Sequence, residues 1–247
     1  MKIRLDKLLV ERGLAASTEL ADALILAGKV LVDEQKVTKA GNPTEQKASL
    51  RLIGEPMKYV SRGGVKLEKA LEHWKIDVRG NTCVDVGTST GGFTDCLLQH
   101  GAARVIAVDT GYGQIDFRLR NDPRVRLLEN TNARYLQQDQ LGEFADLIAM
   151  DVSFISATAI LPAVINAAFP DPPNKQRQII VLVKPQFEVR RDQVGEGGIV
   201  RDAGAQNAAV ERVRHSLLAL HCRETDVIDS PILGVEGNRE FLLHALV

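Results

Sequence analysis

The stretch that decides the fold is an apolar run followed by a glycine-rich turn. It reads Cys83-Val84-Asp85-Val86-Gly87-Thr88-Ser89-Thr90-Gly91-Gly92-Phe93-Thr94-Asp95. The apolar run predicts a buried strand over 82–86, and the pattern after Gly91 predicts a helix over 92–100. Because glycine adopts backbone conformations closed to other residues, such a turn lets the backbone approach a ligand closely. The stretch therefore predicts a strand-turn-helix unit that holds a nucleotide-like cofactor.

The positions of the glycines distinguish two classes of cofactor. The dinucleotide fingerprint needs glycine at the third position of the loop, where this chain has Ser89. Asp85, at the end of the strand, would repel a pyrophosphate but suits the ammonium group of a methionine moiety. We therefore expect S-adenosylmethionine rather than NAD. The residues of this stretch expected to contact it are Asp85, Gly87, Ser89, Gly91, Gly92 and Phe93.

Strands alternate with helices along the chain that follows. Apolar runs predict strands at 104–109, 124–128, 145–151 and 178–183, and helical patterns lie at 156–168 and 203–221. Two later segments, 225–229 and 240–246, predict edge or antiparallel strands. This alternation is typical of an α/β protein with a doubly wound, Rossmann-like and mainly parallel sheet that is covered on both faces.

Charged residues stand where three of these strands end. Asp109 closes the second strand, where a carboxylate accepts both hydroxyls of a ribose. Asp151 ends the fourth strand and Lys184 ends the fifth, so both emerge at the carboxyl edge of the sheet, where open α/β sheets bind substrates. A lysine after four apolar strand residues is difficult to explain as a solvated surface charge.

Lys66 and Glu240 extend this charged set. Lys66 falls on a helix predicted over 61–74, and Glu240 opens the last strand. A ribose hydroxyl is a weak nucleophile at neutral pH, so methyl transfer to it needs a positioned base, for which Lys184 is the candidate. The other charged residues of the set would tune and orient that base as one coupled group.

The N-terminal segment has a different pattern. Apolar residues three and four apart predict two short amphipathic helices at 5–12 and 17–27, and short strands follow them. A glycine and a proline near position 55 break the pattern. We therefore predict a small N-terminal α+β domain over residues 1–54, a linker at 55–60 and a larger domain over 61–247.

Charge is distributed unevenly between these parts. Residues 1–69 carry 13 Lys and Arg against 9 Asp and Glu, whereas the remaining residues carry 18 against 23. This asymmetry permits a basic N-terminal unit that binds a polyanion. A solvated helical face with surplus lysines is the alternative interpretation.

Composition excludes several classes of protein. The 247 residues are 45% hydrophobic and 26% charged, which is typical of a globular chain and excludes intrinsic disorder. Because the sequence lacks an apolar stretch of signal-peptide or membrane-spanning length, we expect a cytoplasmic protein without membrane contact. Cys83, Cys96 and Cys222 lack the paired spacing of a zinc site or a disulfide framework, so we expect reduced thiols and no metal.

One segment favours a different methyl acceptor. Asp171-Pro172-Pro173-Asn174 resembles the short proline motif of enzymes that methylate exocyclic amines. That motif should close the fourth strand, where this chain has Asp151-Val152-Ser153-Phe154 instead. We therefore interpret 171–174 as a proline turn.

Taken together, the motifs resemble those of the TlyA (hemolysin A) family of ribosomal RNA ribose 2'-O-methyltransferases. The resemblance spans nearly the whole chain and implies an S4-like RNA-binding domain at 1–54 and an FtsJ-like methyltransferase domain at 61–247. The stretches that carry it are residues 4–13, 27–30, 61–67, 85–95, 151–156, 183–188 and 237–240.

The wider FtsJ-like group has a Lys-Asp-Lys-Glu active site, and the resemblance carries its roles onto this chain. The residues that match are Lys66, Asp151, Lys184 and Glu240, with Lys184 as the central base. The resemblance also suggests Asn132 near the adenine of the cofactor, with a simple turn-forming role as the alternative. Tyr112 would either pack on the adenine or fill the core.

Basic residues are expected to contact RNA phosphates. The candidates are Arg4, Lys7, Arg12, Lys29 and Arg62. Two departures from the S4 pattern reduce this expectation: Ser17 is followed by Thr18-Glu19 where arginine is common, and Glu34-Gln35 replaces the usual Asn-Gly turn. The first change removes positive charge, and the second removes residues that favour a tight turn. We therefore expect weaker RNA binding or a different binding site.

The resemblance thus implies methyl transfer from S-adenosylmethionine to a ribose 2'-hydroxyl of ribosomal RNA, alone or within ribosomal subunits. Two alternatives stay open: a non-catalytic factor that binds ribosomal RNA or the ribosome and retains the cofactor fold, and a small-molecule methyltransferase. Only the last would keep its turnover without the N-terminal domain. The glycine-containing segment 187–200 is either a mobile lid or an ordinary loop.

Overall fold

A computed structural model of the chain describes residues 2–53, 58–169, 176–234 and 237–247. The chain divides into two compact units, Met1–Pro56 and Met57–Val247. Residues 55–57 of the predicted linker and the whole proline segment 171–174 lie outside the described residues.

The N-terminal unit is small and of α+β type. Its described elements are β1 (Lys2–Arg4), α1 (Leu5–Glu11), α2 (Thr18–Leu26), β2 (Val30–Val32), β3 (Gln35–Val37), β4 (Pro43–Glu45) and β5 (Leu50–Leu52). β1 pairs antiparallel with β4, and β2 pairs antiparallel with both β3 and β5. Leu5, Leu9, Ile25 and Val30 are fully buried in one apolar cluster, so the two helices bury their apolar faces together.

The hairpin between β2 and β3 lacks the Asn-Gly pair that is common in such turns, and its turn residues are Asp33-Glu34 instead of the predicted Glu34-Gln35, because Gln35 already pairs with Val32. Asp33 and Glu34 both adopt left-handed conformations, with φ of 49° and 61°, as a two-residue hairpin turn of type I′ requires. Asp33 Oδ1 accepts Ser49 N–H over 2.8 Å, and Glu34 pairs with Arg51 of β5 at 2.7 Å. Both turn residues therefore contact the segment of Ser49 and Arg51, at the solvent-exposed end of the hairpin.

The larger unit is built on a mostly parallel sheet. Its helices are α3 (Gly63–His73), α4 (Gly92–Gln99), α5 (Phe117–Arg120), α6 (Gln138–Leu141), α7 (Leu161–Ala168), α8 (Pro185–Glu188) and α9 (Ala203–Ala219). Its strands are β6 (Thr82–Val86), β7 (Arg104–Val108), β8 (Val125–Leu128), β9 (Leu147–Met150), β10 (Gln178–Val183), β11 (Arg223–Asp229) and β12 (Phe241–Leu246). Short 3₁₀ helices occupy Ala133–Tyr135, Ala157–Ala159, Arg191–Gln193 and Glu196–Gly198.

In the described part of the chain, the strands of this sheet lie in the order β11-β12-β10-β9-β6-β7-β8. Strands β10, β9, β6, β7 and β8 pair in parallel, whereas β12 is antiparallel to both of its neighbours. The predicted α/β, doubly wound sheet is confirmed, with β11 at its edge and β12 antiparallel.

Apolar clusters cover both faces of the sheet. Cys83 packs in a cluster with Leu67 of α3 and Leu97 of α4, whereas the next residue, Val84, belongs to a cluster that contains Val213 of α9. Successive strand residues point to opposite faces, so near-continuous apolar strands are required when helices cover both.

The strand order brings β6 against β9, and two glycines permit the contacts that follow. Asp151 N–H donates to Val86 O over 2.9 Å, and a Cβ built on Gly87, whose φ is 86°, would lie 2.2 Å from the Asp151 carbonyl oxygen. A Cβ on Gly92 would lie 2.2 Å from Ser61 Oγ. The close approach that we expected toward a ligand is, at these two positions, an approach to the chain itself.

We expect Gly87→Ala to lower the free energy of unfolding by more than about 3 kcal/mol, because the new methyl group meets a backbone oxygen and φ is positive. Gly80→Ala is the matched control: its φ is 74° and no atom lies within 4 Å of the new Cβ, so only the backbone cost applies. Urea unfolding followed by circular dichroism measures both variants. Equal losses would contradict a steric requirement at Gly87.

Candidate active site

The carboxyl edge of the sheet carries four charged side chains that line one cavity. Lys66 lies on α3, Asp151 follows β9, Lys184 follows β10, and Glu240 precedes β12. Because β12, β10 and β9 are neighbours, the last three converge, and α3 adds the fourth. Arg62, at the start of α3, is exposed and lines the same cavity. The structure thus brings together the four residues expected to form an acid-base group.

The four charges form two ion pairs. Lys66 Nζ lies 2.5 Å from Glu240 Oε2, and Lys184 Nζ lies 2.5 Å from Asp151 Oδ1. The side chains of the first pair are 10% and 3% exposed, and those of the second are 11% and 19% exposed. Because a buried charge is costly unless it is paired, each carboxylate permits an ammonium group to stay in a partly dry cavity.

Ser153 makes a further contact with Lys184. Lys184 Nζ donates to Ser153 Oγ over 2.8 Å, and Ser153 lines the cavity. Ser153 was not among the predicted site residues. Its position two residues after Asp151, on the same segment leaving β9, was the available signal.

Glu188, at the end of α8, joins the segment leaving β10 to the segment leaving β9. Its Oε1 accepts Ala157 N–H over 2.7 Å, and its Oε2 accepts the Ser156 hydroxyl over 2.5 Å. The carboxyl group is buried, and this burial raises the pKa of Glu188. One carboxyl group therefore connects the segments that carry Lys184 and Asp151, a role that the sequence analysis also missed.

A second cavity adjoins the first and shares Gly87, Ser89, Asp151 and Ser153 with it. Asp109 stands in its wall, where Oδ2 accepts Ser89 N–H and Oδ1 accepts Gly111 N–H, each over 2.7 Å. A carboxylate has about four acceptor sites, so further hydroxyl groups still find acceptors there. The remaining wall includes the apolar side chains of Val108, Ala133, Ile155 and Ile160.

Asn132 lines the second cavity as the resemblance suggested, and it also forms a turn. Its Oδ1 accepts Arg134 N–H over 3.1 Å and caps the 3₁₀ helix that follows. The turn-forming role of Asn132 is therefore present, and its contact with an adenine stays a prediction. Phe93 and Gly92, at the start of α4, line the first cavity.

Three residues expected to contact the cofactor line neither cavity, and this corrects the sequence analysis. Asp85 is fully buried, and its Oδ2 accepts the Thr94 hydroxyl over 2.6 Å, because its side chain points into the layer under α4. A Cβ on Gly91 would lie 2.4 Å from the Leu119 side chain, so this glycine faces the core. Tyr112 is 74% exposed and therefore does not fill the core.

The basic candidates of the N-terminal unit differ in the availability of their charge. Lys7 and Arg12 are exposed, and Arg12 Nη2 donates to a backbone carbonyl oxygen over 2.5 Å. Arg4 is exposed, but its guanidinium group pairs with the buried carboxylate of Asp6 and lowers the pKa of that carboxyl group. Lys29 is half-buried. Lys7 and Arg12 thus present the most accessible positive charge of this set.

Both units match known families. The profile of the FtsJ-like methyltransferases matches residues 59–246, and that of the S4 domain matches residues 3–43. The chain is 43% identical to the 16S/23S rRNA (cytidine-2'-O)-methyltransferase TlyA of Mycobacterium tuberculosis, over 98% of this chain and 89% of that protein. It is 38% identical to Hemolysin A of Brachyspira hyodysenteriae, over 99% of this chain and 100% of that protein.

The similarity extends to three dimensions. The solved structure of a protein designated a hemolysin, from Streptococcus thermophilus, superposes with a TM-score of 0.74 at 39% identity. The match covers 99% of this chain and 88% of that chain. Over residues 2–53, 58–169, 176–234 and 237–247, no helix combines the length and the apolar character that crossing a bilayer requires.

We expect the buried Asp85 to make folding stability depend on pH. Burial, together with the charges of Asp151 and Asp109, raises the pKa of Asp85 to about 7, despite the hydrogen bond from Thr94. An unfolded aspartate releases its proton near pH 4. Between these values the folded chain retains a proton that the unfolded chain has lost, so the contribution favours folding at low pH and declines as the pH rises to 7.

Asp85→Asn removes this titration and keeps an acceptor for the Thr94 hydroxyl. The free energy of unfolding of the variant should therefore fall less than that of the parent between about pH 4 and pH 7. Urea unfolding at several pH values measures the difference, in which all groups common to both proteins cancel. Parallel profiles for variant and parent would contradict the assignment.

Proposed function

The chain belongs to the TlyA family of FtsJ-like methyltransferases, and from this membership we propose that it transfers a methyl group from S-adenosylmethionine to a ribose 2'-hydroxyl of ribosomal RNA. The observation that carries the proposal is the cavity in which Lys184 pairs with Asp151 and Lys66 pairs with Glu240. A lysine held by a carboxylate beside a nucleoside-sized cavity suits alkylation of a hydroxyl group with a general base.

The second cavity suits the adenosine part of the cofactor. Asp109 keeps acceptor sites for the ribose hydroxyls, and Ala133 and Ile160 provide apolar walls for a purine. Gly87 and Ser89 border both cavities, so the loop that they form would hold the methionine part between the adenosine and the acid-base group. When bound, S-adenosylmethionine supplies a methyl group that its sulfonium has already activated.

Lys184 acts as the general base in this proposal. The Lys184 ammonium group first releases a proton to solvent, and its neutral Nζ then takes the proton of the 2'-hydroxyl while the oxygen bonds to the methyl carbon and the bond from methyl to sulfur breaks. Asp151 Oδ1, at 2.5 Å, stabilises the ammonium group that results. The remaining task of the chain is to align oxygen, carbon and sulfur.

Lys66 and Glu240 shape the electrostatics of the acceptor side. Glu240 is nearly inaccessible, and its carboxylate keeps the Lys66 ammonium group paired at the cavity wall. This pairing places a positive charge next to the position of a polyanionic acceptor without leaving a buried charge unpaired.

We infer that the N-terminal unit binds ribosomal RNA, since residues 3–43 match the S4 domain. The relative from Mycobacterium tuberculosis is named for cytidine in 16S and 23S ribosomal RNA, and we propose cytidine as the target here. Lys7 and Arg12 supply accessible charges for phosphate contacts. The pairing of Arg4 with Asp6 supports a weaker electrostatic contribution from Arg4.

We expect Lys184→Ala to reduce methyl transfer by about 10²–10⁴-fold, the usual contribution of a positioned base. Transfer of radiolabelled methyl groups to ribosomal RNA measures activity, and calorimetry should show that S-adenosylmethionine still binds. Lys69→Ala, which changes an exposed lysine on α3, is the control and should keep the parent rate. Parent-like turnover in Lys184→Ala would remove this residue from the mechanism.

Charge reversal at Lys7 and Arg12 together should weaken RNA binding and flatten its dependence on salt. The slope of log K against log salt is negative, and each lost phosphate contact makes it less steep by about 0.7–0.9. Filter binding at several salt concentrations measures this slope. Lys75→Glu is the control, because Lys75 is an exposed lysine after α3 in the larger unit and lines neither cavity. An unaltered slope would place the RNA surface elsewhere.

A further inference from the structure

The hydroxyl group of Ser153 contacts the nitrogen that carries the proposed reaction. Lys184 Nζ donates to Ser153 Oγ over 2.8 Å and lies 2.5 Å from Asp151 Oδ1. Ser153 leaves β9 two residues after Asp151 and lines both cavities. One segment of the chain therefore presents a hydrogen-bond acceptor and an ion-pair partner to a single amine.

A hydrogen bond and an ion pair together determine the direction in which a neutral amine offers its lone pair. A primary amine has two N–H groups and one lone pair, which exchange places as the Cε–Nζ bond rotates. The ion pair with Asp151 has no hydrogen-bond geometry, so by itself it leaves the two N–H groups and the lone pair free to exchange places. The hydrogen bond to Ser153 fixes the direction of one N–H group, the charge of Asp151 attracts the other, and the lone pair takes the third direction.

We propose that Ser153 is a positioning residue for methyl transfer, which orients the lone pair of Lys184 toward the acceptor hydroxyl. The inference rests on the proposed function, in which Lys184 accepts the proton of the ribose 2'-hydroxyl. That proton passes from the ribose hydroxyl to Nζ while the bond from oxygen to methyl forms and the bond from methyl to sulfur breaks. Ser153 keeps its own proton throughout and accepts one hydrogen bond, which strengthens as Nζ becomes charged.

The surrounding structure holds Ser153 at this distance from Lys184. Glu188 follows Lys184 on α8, and its buried carboxyl group accepts hydrogen bonds from Ser156 and from the backbone of Ala157. The segment that carries Ser153 is thus tied at one end to β9 and at the other to the turn that carries Lys184. This arrangement limits how far the two side chains separate.

The hydroxyl group of Ser153 makes few contacts by which it would stabilise the fold. Ser153 is exposed and lies outside the helices and strands, and among the described residues its Oγ bonds to Lys184 alone. Removal of the hydroxyl therefore leaves no inaccessible polar group without a partner. The folding stability of Ser153→Ala should match that of the parent, so an effect on rate is separable from an effect on folding.

The experiment compares Ser153→Ala and Ser153→Thr with the parent in the full chain. Transfer of radiolabelled methyl groups to ribosomal RNA at varied S-adenosylmethionine gives kcat and KM, and thermal melting reports folding. For Ser153→Ala we expect kcat to fall about tenfold to hundredfold, the rate equivalent of one hydrogen bond to a charged group. KM for S-adenosylmethionine should stay within about twofold, and Ser153→Thr, which keeps the hydroxyl, should recover most of the rate.

Ser216→Ala, a serine truncation on α9 away from the cavities, should keep the parent kcat. A parent-like kcat in Ser153→Ala would overturn the inference, as would a loss confined to KM, or a threonine variant as slow as the alanine variant. Failure of the proposed function looks different: the parent would be inactive, or Lys184→Ala would remain active. An active parent, an inactive Lys184→Ala and a fully active Ser153→Ala together reject the role of Ser153 alone.

Discussion

The parallel pairing of β6 with β9 is the constraint on which the rest of the larger unit depends. In this register Val86 pairs with Met150, so the glycine turn after β6 and the acidic segment after β9 emerge side by side. The contact is so close that a methyl group on Gly87 would meet the Asp151 carbonyl oxygen. Both cavities share Gly87 and Asp151, the residues that follow this strand pair. The two proposed binding regions are therefore adjacent.

Charge in this region is balanced locally. Two lysines and two carboxylates meet in a cavity with limited access to water, and each ammonium group has one carboxylate as its partner. Around them, the buried carboxyl groups of Asp85 and Glu188 are held by hydroxyl and backbone donors instead of cations. Burial raises the pKa of both groups, so they favour the neutral form more than a solvated carboxyl group does.

The N-terminal unit shows how local departures from a family pattern are accommodated. Glu34 occupies a hairpin turn that favours other residues, yet its pairing with Arg51 holds the neighbouring strand. A second ion pair of this unit, within a stretch that follows the family pattern, joins Arg4 to Asp6. Each pair removes one positive charge from the surface available to a polyanion, so the proposed RNA contacts depend more strongly on Lys7 and Arg12.

The sequence by itself determined where most strands and the longer helices of the larger unit lie along the chain, and the residues that end the strands, because apolar periodicity and glycine placement are local properties. Asp109, Asp151, Lys184 and Glu240 could thus be assigned to one edge of a sheet. It did not determine the direction of side chains within one motif: Asp85 points into the core and Tyr112 into solvent, although both adjoin the residues of the cavities. The contact of Ser153 with Lys184 and the bridging role of Glu188 were decided only by the tertiary structure. These contacts join residues 31 and 32 positions apart in the sequence, and such distances depend on strand order and packing, which no local pattern encodes.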